Sequence, residues 1–265
     1  MTVAAADADL ALVEACDALG CGCRQESGPD GAAVLDFWVP AAAARPEALA
    51  ALLRHRGIAA RVESHPESDA WRTAMHAFHT PVEVAGRLLV RPPWERARPP
   101  LLDVAIDVGM AFGTAQHATT RTCLEMLASL PAVGPVLDAG CGTGVLAIAA
   151  RRLGFGPVSA FDFDPLAVEA TIANARRNGV ELAVARRTIG ADRLPAAEVV
   201  LANLTATVLL MLAPALARPA PRWVIASGMR PREVAGVAGA FAAIGIRQVR
   251  AVQDEGWSTV LLERA

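Results

Sequence analysis

The sequence predicts an α/β protein: a doubly wound, mostly parallel sheet with an antiparallel edge hairpin, preceded by a small N-terminal α/β domain. Three observations carry this. Beyond residue 101, apolar runs of strand length alternate with segments of helical period, which is the pattern of repeated βα units. The first of these strands, "PVLDAG", enters a helix through the glycine-rich turn "GCGTG", where open α/β sheets place a ligand loop. The final stretch, "IRQVRAVQDEGWSTVLLER", reads as two strands around a short Asp-Glu-Gly turn and calls for antiparallel pairing at a sheet edge.

Taken in order, residues 1–65 form the small domain. Residues 10–19 have a helical pattern. The turn signal Gly28-Pro29-Asp30-Gly31 separates "CGCRQES" from the alternating "AAVLDFWV", predicting a hairpin. Residues 46–56 predict a helix with Pro46 in its first turn and Gly57 as its stop, before the strand-like "IAARVE". Residues 66–100 read as a helical and Pro-rich connector. "SHPESDAWRTAMHAF" has helix-start chemistry with Trp71, Met75 and Phe78 at helical spacing, and the prolines from Pro92 to Pro100 mark a domain boundary. Residues 101–265 form the large domain. Its strands are "PVLDAG", "VSAFDFD", "ELAVARR", "EVVLANL" and "RWVIASG", and its helices include "VLAIAARRLG", "PLAVEATIANARRNG", "TATVLLMLAPALA" and "PREVAGVAGAFAAIG".

Composition narrows the function. At 265 residues and 54% hydrophobic, the chain fills one large core and one small one. A net charge of −2 lacks the electrostatic footprint of a nucleic-acid binder, so no direct nucleic-acid partner is expected. No apolar run reaches the roughly 18 residues of a membrane span, so no membrane partner is expected. The acidic N-terminus argues against a targeting peptide, and a cytoplasmic location is predicted. The five cysteines, Cys16, Cys21, Cys23, Cys123 and Cys141, are an odd number and read as free thiols. The Cys21 and Cys23 pair has no His or further Cys at ligand spacing, so no metal is predicted. All 25 basic residues are Arg. Without Lys, a Walker-type phosphate loop and Schiff-base chemistry are excluded, and the absence of Tyr removes a further group of acid–base mechanisms.

The glycine loop is the strongest local signal. Gly140, Gly142 and Gly144 alternate, letting the backbone turn sharply and approach a ligand at the positive end of the following helix. Asp162 ends the next strand at the spacing of a carboxylate that grips ribose hydroxyls. A dinucleotide site wants G-x-G-x-x-G, whereas this loop is G-x-G-x-G preceded by Asp138. A carboxylate there repels a pyrophosphate and suits an ammonium or a sulfonium, both of which S-adenosylmethionine carries. The alternative role for Asp138 is a cap on the loop's own N–H groups.

"DAGCGTG", "FDFDPLAVEATIANARRNGV" and "VVLANL" together resemble the Rossmann-like class I methyltransferases. "AFGTAQHATTRTCLEML" narrows the resemblance to the ribosomal protein L-eleven methyltransferase family, which carries a loop of the form F-G-T-G-x-H-x-T-T. "DEGWSTVLLER" resembles that family's closing strands. The resemblance implies a protein N-methyltransferase that uses S-adenosylmethionine and acts on amino groups of a ribosomal protein of the large subunit. By position it implies that Thr120, Gly140, Asp162 and Asn203 contact the cofactor, with Thr120 near the methionine carboxylate and Asn203 beside the sulfonium. It also implies that the small domain recognises the substrate. Ala115 stands where the family has a second loop glycine, and a positive φ there would cost about 1–2 kcal/mol.

The implied reaction is direct methyl transfer to a neutral amine, which needs alignment and desolvation rather than a strong base. The Asn203 side-chain carbonyl is a candidate to orient the amine, and His117 is either a proton acceptor or a partner of its own turn. Residues 112–120 read as a lid whose order depends on the cofactor. Three alternatives stay open on the sequence: a methyltransferase for another lysine or a small amine, an NAD-dependent oxidoreductase, and a non-catalytic binding protein.

Overall fold

The structure is a computed structural model. It describes residues 1–4, 7, 11, 15, 23–27, 32–37, 46–63, 79–107, 115–216 and 220–265. The chain divides into two compact units, Met1–Met75 and His76–Ala265.

In the first unit, β1 (Thr2–Ala4), β2 (Cys23–Ser27), β3 (Ala32–Phe37) and β4 (Ala60–Arg61) form an antiparallel sheet in the order β2-β3-β1-β4. The short first strand is interior to this sheet, paired on both edges. Helix α1 (Pro46–His55) follows the predicted pattern, with Glu47 at its positive end, Arg54 and His55 at its negative end, and Gly57 at φ +79° directly after it. Its Leu49 and Leu53 join Val3, Leu35 and Ile58 in a small apolar core. The side chains of Cys21 and Cys23, the turn at 28–31 and the predicted helix around Trp71 lie outside the described residues.

The second unit opens with a feature that departs from the sequence reading. Residues 79–107, expected as connector and domain start, carry β5 (Val82–Val84), β6 (Leu88–Arg91) and β7 (Leu102–Ala105) in a three-stranded sheet. β6 and β7 are parallel, and the Pro-rich segment 92–100 is the crossover between them. The prolines there punctuate a loop inside one unit. Arg91 fixes the crossover, donating to both carboxylate oxygens of Asp103 at 2.6 and 2.7 Å and to the Glu95 carbonyl at 2.7 Å.

The main sheet has seven strands. In chain order they are β8 (Val136–Ala139), β9 (Val158–Asp162), β10 (Ala183–Arg186), β11 (Val199–Asn203), β12 (Trp223–Met229), β13 (Ile246–Asp254) and β14 (Trp257–Arg264), arranged spatially as β10-β9-β8-β11-β12-β14-β13. The first five are parallel, and β14 inserts antiparallel between β12 and β13. Strand alternation sorts side chains to two faces. Val136, Val199, Leu201 and Ile225 face one core with helices α2 (Ala118–Ser129) and α3 (Val145–Arg152). Leu137, Val200, Ala202 and Val224 face another with α5 (Ala206–Ala215) and α6 (Val234–Ala242). Helix α4 (Pro165–Arg177), capped by Asp164 through the Leu166 N–H, crosses from β9 to β10. Among the described residues no helix is long and apolar enough to cross a membrane.

Candidate functional site

The order of the main sheet reverses between β8 and β11, and the carboxyl ends of strands at such a switch point open a crevice. The glycine loop between β8 and α3 lies there. Gly140, Gly142 and Gly144 have φ of 72°, 53° and 81°, a region that L side chains rarely enter. A Cβ on Gly140 would sit 2.4 Å from Leu204 Cδ2, and one on Gly144 would sit 2.8 Å from Thr171 Cγ2. Glycine is thus required at both positions for conformation and for space.

Asp162 closes the loop from the neighbouring strand. Its two carboxylate oxygens accept from the Gly142 N–H at 3.0 Å and the Asp164 N–H at 3.1 Å. Each oxygen keeps a lone pair, so the carboxylate can still accept from a pair of vicinal hydroxyls. Beside it Phe163 is 69% exposed, a flat apolar surface at the mouth of the crevice that sequence reasoning passed over.

Asp138 is 1% exposed beneath the loop. One oxygen accepts from the Ala147 N–H at 3.0 Å, in the first turn of α3, and Oδ1 has no partner among the described residues. Burial, reinforced by the Asp162 charge and opposed by the Ala147 N–H, pushes this carboxyl up to about 7. Its direct contact is the helix cap, and the ligand-facing role expected of it depends on the second oxygen.

Asn203 ends β11 opposite the loop. Its Nδ2 donates to the Thr119 hydroxyl at 3.1 Å and to the Thr120 hydroxyl at 3.2 Å. That fixes the amide and leaves its carbonyl oxygen turned away from both threonines. Thr119 continues the chain: its hydroxyl lies 2.7 Å from His117 Nδ1, which also accepts from the Thr119 N–H at 3.4 Å. Because the Thr119 N–H donates to Nδ1, that nitrogen is the acceptor of this turn. His117 is therefore the N-cap of α2 and a partner of its own turn.

The preceding segment is described from Ala115 onward; residues 108–114, with Phe112 and Gly113 of the expected lid, lie outside the described residues. Ala115, the first described residue of this segment, is buried. Thr119 and Thr120 are almost fully buried, which makes this end of the segment packed scaffold.

Two further residues were missed from sequence, one that holds the loop and one that holds the end of β7. Asn174 Nδ2 donates to the carbonyls of Thr143 and Asp107, both at 3.0 Å, and its Oδ1 accepts from the Asp107 N–H at 2.9 Å. One turn on, Asn178 pairs with both backbone groups of Ala105 at 2.9 and 2.7 Å. The available signal was Asn174 within a helix, a residue type that helix interiors disfavour unless it has work elsewhere; Asn178 is the C-cap of the same helix. The free thiols Cys123 and Cys141 are buried, and burial pushes both up to about 12, so neither is a nucleophile at neutral pH. No cluster of metal-ligating side chains occurs among the described residues.

Sheet order, glycine loop and strand-end carboxylate define a Rossmann-like α/β protein with an open crevice at the carboxyl ends of its strands. The model of the ribosomal protein L11 methyltransferase family (PrmA) matches residues 40–265, and the chain belongs to that family. Relatives named ribosomal protein L11 methyltransferase include one from Symbiobacterium thermophilum, 38% identical over 201 residues, covering 74% of this chain and 66% of the relative. Another, from Bordetella parapertussis, is 41% identical over 193 residues, covering 67% and 61%. The chain thus spans somewhat less than two thirds of the length of these curated relatives. The crystal structure of ribosomal protein L11 methylase from Lactobacillus delbrueckii subsp. bulgaricus aligns with TM-score 0.63 at 27% identity, covering 70% of this chain and 98% of that one.

Proposed function

We propose that this protein is an S-adenosylmethionine-dependent N-methyltransferase that methylates amino groups of ribosomal protein L11, lysine side chains foremost, in the cytoplasm. The observation that carries the reading is the convergence of the glycine loop, Asp162 and Asn203 at the switch point of a family member's sheet. The residues fit the cofactor. Asp162 suits the ribose hydroxyls, Phe163 the adenine face, and the loop N–H groups with Gly140, Gly142 and Gly144 the amino-acid end. The orphaned Asp138 oxygen lies below a position that favours a cation, and the Thr120 hydroxyl adds a donor for a carboxylate. These features disfavour a pyrophosphate and hence the NAD reading.

When bound, S-adenosylmethionine supplies an electrophilic methyl group on a sulfonium. The chain's own contribution is alignment. The Thr119 and Thr120 hydroxyls hold the Asn203 amide in one orientation, and its free carbonyl oxygen accepts a hydrogen bond from the incoming amine and orients the nitrogen lone pair. A lysine with a reference pKa of about 10.4 must arrive neutral, and desolvation beside a positive charge lowers its pKa in that direction. No buried lysine, tyrosine or reactive thiol is required.

Purified protein incubated with methyl-labelled S-adenosylmethionine and L11 tests this. The expected result is mass gain in multiples of one methyl on L11, mapped to amino groups by fragmentation. Failure to bind S-adenosylhomocysteine, or binding without transfer to L11, would replace the reading with a different ligand or a different acceptor respectively.

A further inference from the structure

The first turn of α2 carries the hydroxyls that hold Asn203, so whatever fixes that turn fixes the site. Helix electrostatics do not. The turn contains no acidic residue and does contain Arg121, a cation at the positive end of a helix dipole. Such a placement is unfavourable on the helix alone and calls for a partner elsewhere.

The partner is the β13–β14 turn. Arg121 Nη2 donates to Asp254 Oδ2 at 2.5 Å and to Glu255 Oε1 at 3.2 Å, and Nη1 donates to the Gln116 carbonyl at 3.3 Å. One guanidinium thus ties the end of the incoming segment, the helix and the hairpin. The Arg121 and Asp254 side chains are about a third exposed or less, and the Asp254 hydrogen bond, followed by the smaller Glu255 one, holds the guanidinium above its ordinary pKa. The hairpin side is committed too. Glu255 stands at φ 49°, one of two non-glycine residues with positive φ among the described residues, and Gly256 follows at 75°. That pair makes a two-residue turn with both central residues left-handed, at a position where glutamate is strained. The strained residue is one that meets Arg121.

A second contact reinforces the first. Trp257, paired across the hairpin with Asp254, places its ring 5.5 Å from the His117 ring, and the Arg230 guanidinium lies 3.8 Å over the same indole. The two arms of the hairpin mouth therefore hold residues 117 and 121, either side of Thr119 and Thr120. We propose that Arg121 is a positioning residue for methyl transfer: through Asp254 and Glu255 it sets the Thr119 and Thr120 hydroxyls against Asn203. The inference rests on the methyltransferase reading above.

The test measures S-adenosylhomocysteine affinity by calorimetry at 25 °C, steady-state kinetics and melting temperature for wild type, Arg121→Met, Arg121→Lys, Asp254→Asn and the Arg121→Met/Asp254→Asn double variant. Arg121→Met is expected to weaken binding roughly tenfold, about 1.4 kcal/mol, and to lower kcat further, with Arg121→Lys recovering part of both. The double variant should be no worse than Arg121→Met, because both changes remove one interaction. A purely structural role would lower the melting temperature while leaving affinity and kcat intact below it, and that outcome overturns the proposal. Additive effects in the double variant overturn it as well. If Arg121→Met does not fold, Asp254→Asn carries the same expectation at smaller amplitude. Wild type that fails to bind S-adenosylhomocysteine sinks the methyltransferase reading itself, whereas wild-type binding with unaffected variants sinks only the positioning role.

Discussion

Single residues here serve the fold and the ligand at once, and substitutions separate the two. Asp162 accepts from two backbone N–H groups, so Asp162→Ala leaves Gly142 and Asp164 unpaired while Asp162→Asn keeps an acceptor. We expect Asp162→Ala to weaken S-adenosylhomocysteine binding by roughly 1.5–3 kcal/mol, the worth of a charge-assisted hydrogen bond, and to cost some stability. Asp162→Asn should lose affinity with little change in melting temperature, and unchanged calorimetric affinity in both would remove Asp162 from the site. Asp138 makes a pH prediction. Its carboxyl titrates near 7 in the folded chain against 3.8 as the ordinary value, so between those limits the folded state binds the extra proton. Stability from this group is full below about pH 4 and is lost as pH rises through 7. Asp138→Asn removes the titration and should flatten the melting temperature over that range; an unchanged slope would show that other groups set it. The left-handed glycines and the strand-end place of Asp162 were legible in the sequence because both follow from backbone geometry and spacing. The orientation of Asn203 and the choice of Nδ1 as the His117 acceptor were not, since both depend on Thr119 groups that only the packed helix brings into reach.

Among the elements, the βα alternation and the closing hairpin were readable from periodicity, and the sheet has both. What periodicity hid was the three-stranded sheet of β5, β6 and β7. Its strands are three or four residues long, and the parallel pair is separated by a crossover rich in proline, a residue that reads locally as an end. Only long-range partners reveal that the chain returns: Arg91 on Asp103, and Val84, Leu88, Val90 and Val104 in the core beneath α2 and α3. Helix α4 then joins this sheet to the glycine loop through Asn174 and Asn178. Asn174→Ala deletes one accepted and two donated hydrogen bonds to the backbone of Asp107 and Thr143. The expected loss is about 2–4 kcal/mol by urea denaturation, with weaker S-adenosylhomocysteine binding because Thr143 belongs to the loop. Asn178→Ala touches Ala105 and not the loop, so it should lose stability alone. Equal effects of the two on affinity would contradict this division.

At the scale of the whole molecule, the candidate site falls within one of the two units. Every residue placed at the crevice lies within His76–Ala265, which has apolar cores on both faces of its sheet, while Met1–Met75 has its own smaller core around Leu35 and Leu53. A protein acceptor needs a recognition surface beyond the crevice, and we assign it to the first unit as a hypothesis, since the glycine loop, Asp162 and Asn203 all lie in the second. The place to divide the chain follows from the fold. A chain beginning near Pro99, where the sequence puts a boundary, would lose β5 and β6 and with them Val84, Leu88 and Val90 of the core, and should not fold stably. A chain of residues 76–265 keeps these strands and should bind S-adenosylhomocysteine within about threefold of the full chain, under 1 kcal/mol. The same fragment should fail to methylate L11 at concentrations where the full chain turns over. Calorimetry of the fragment and a labelled-methyl transfer assay decide the matter: full-rate methylation by residues 76–265 would place acceptor recognition on the second unit and end the two-unit division of labour.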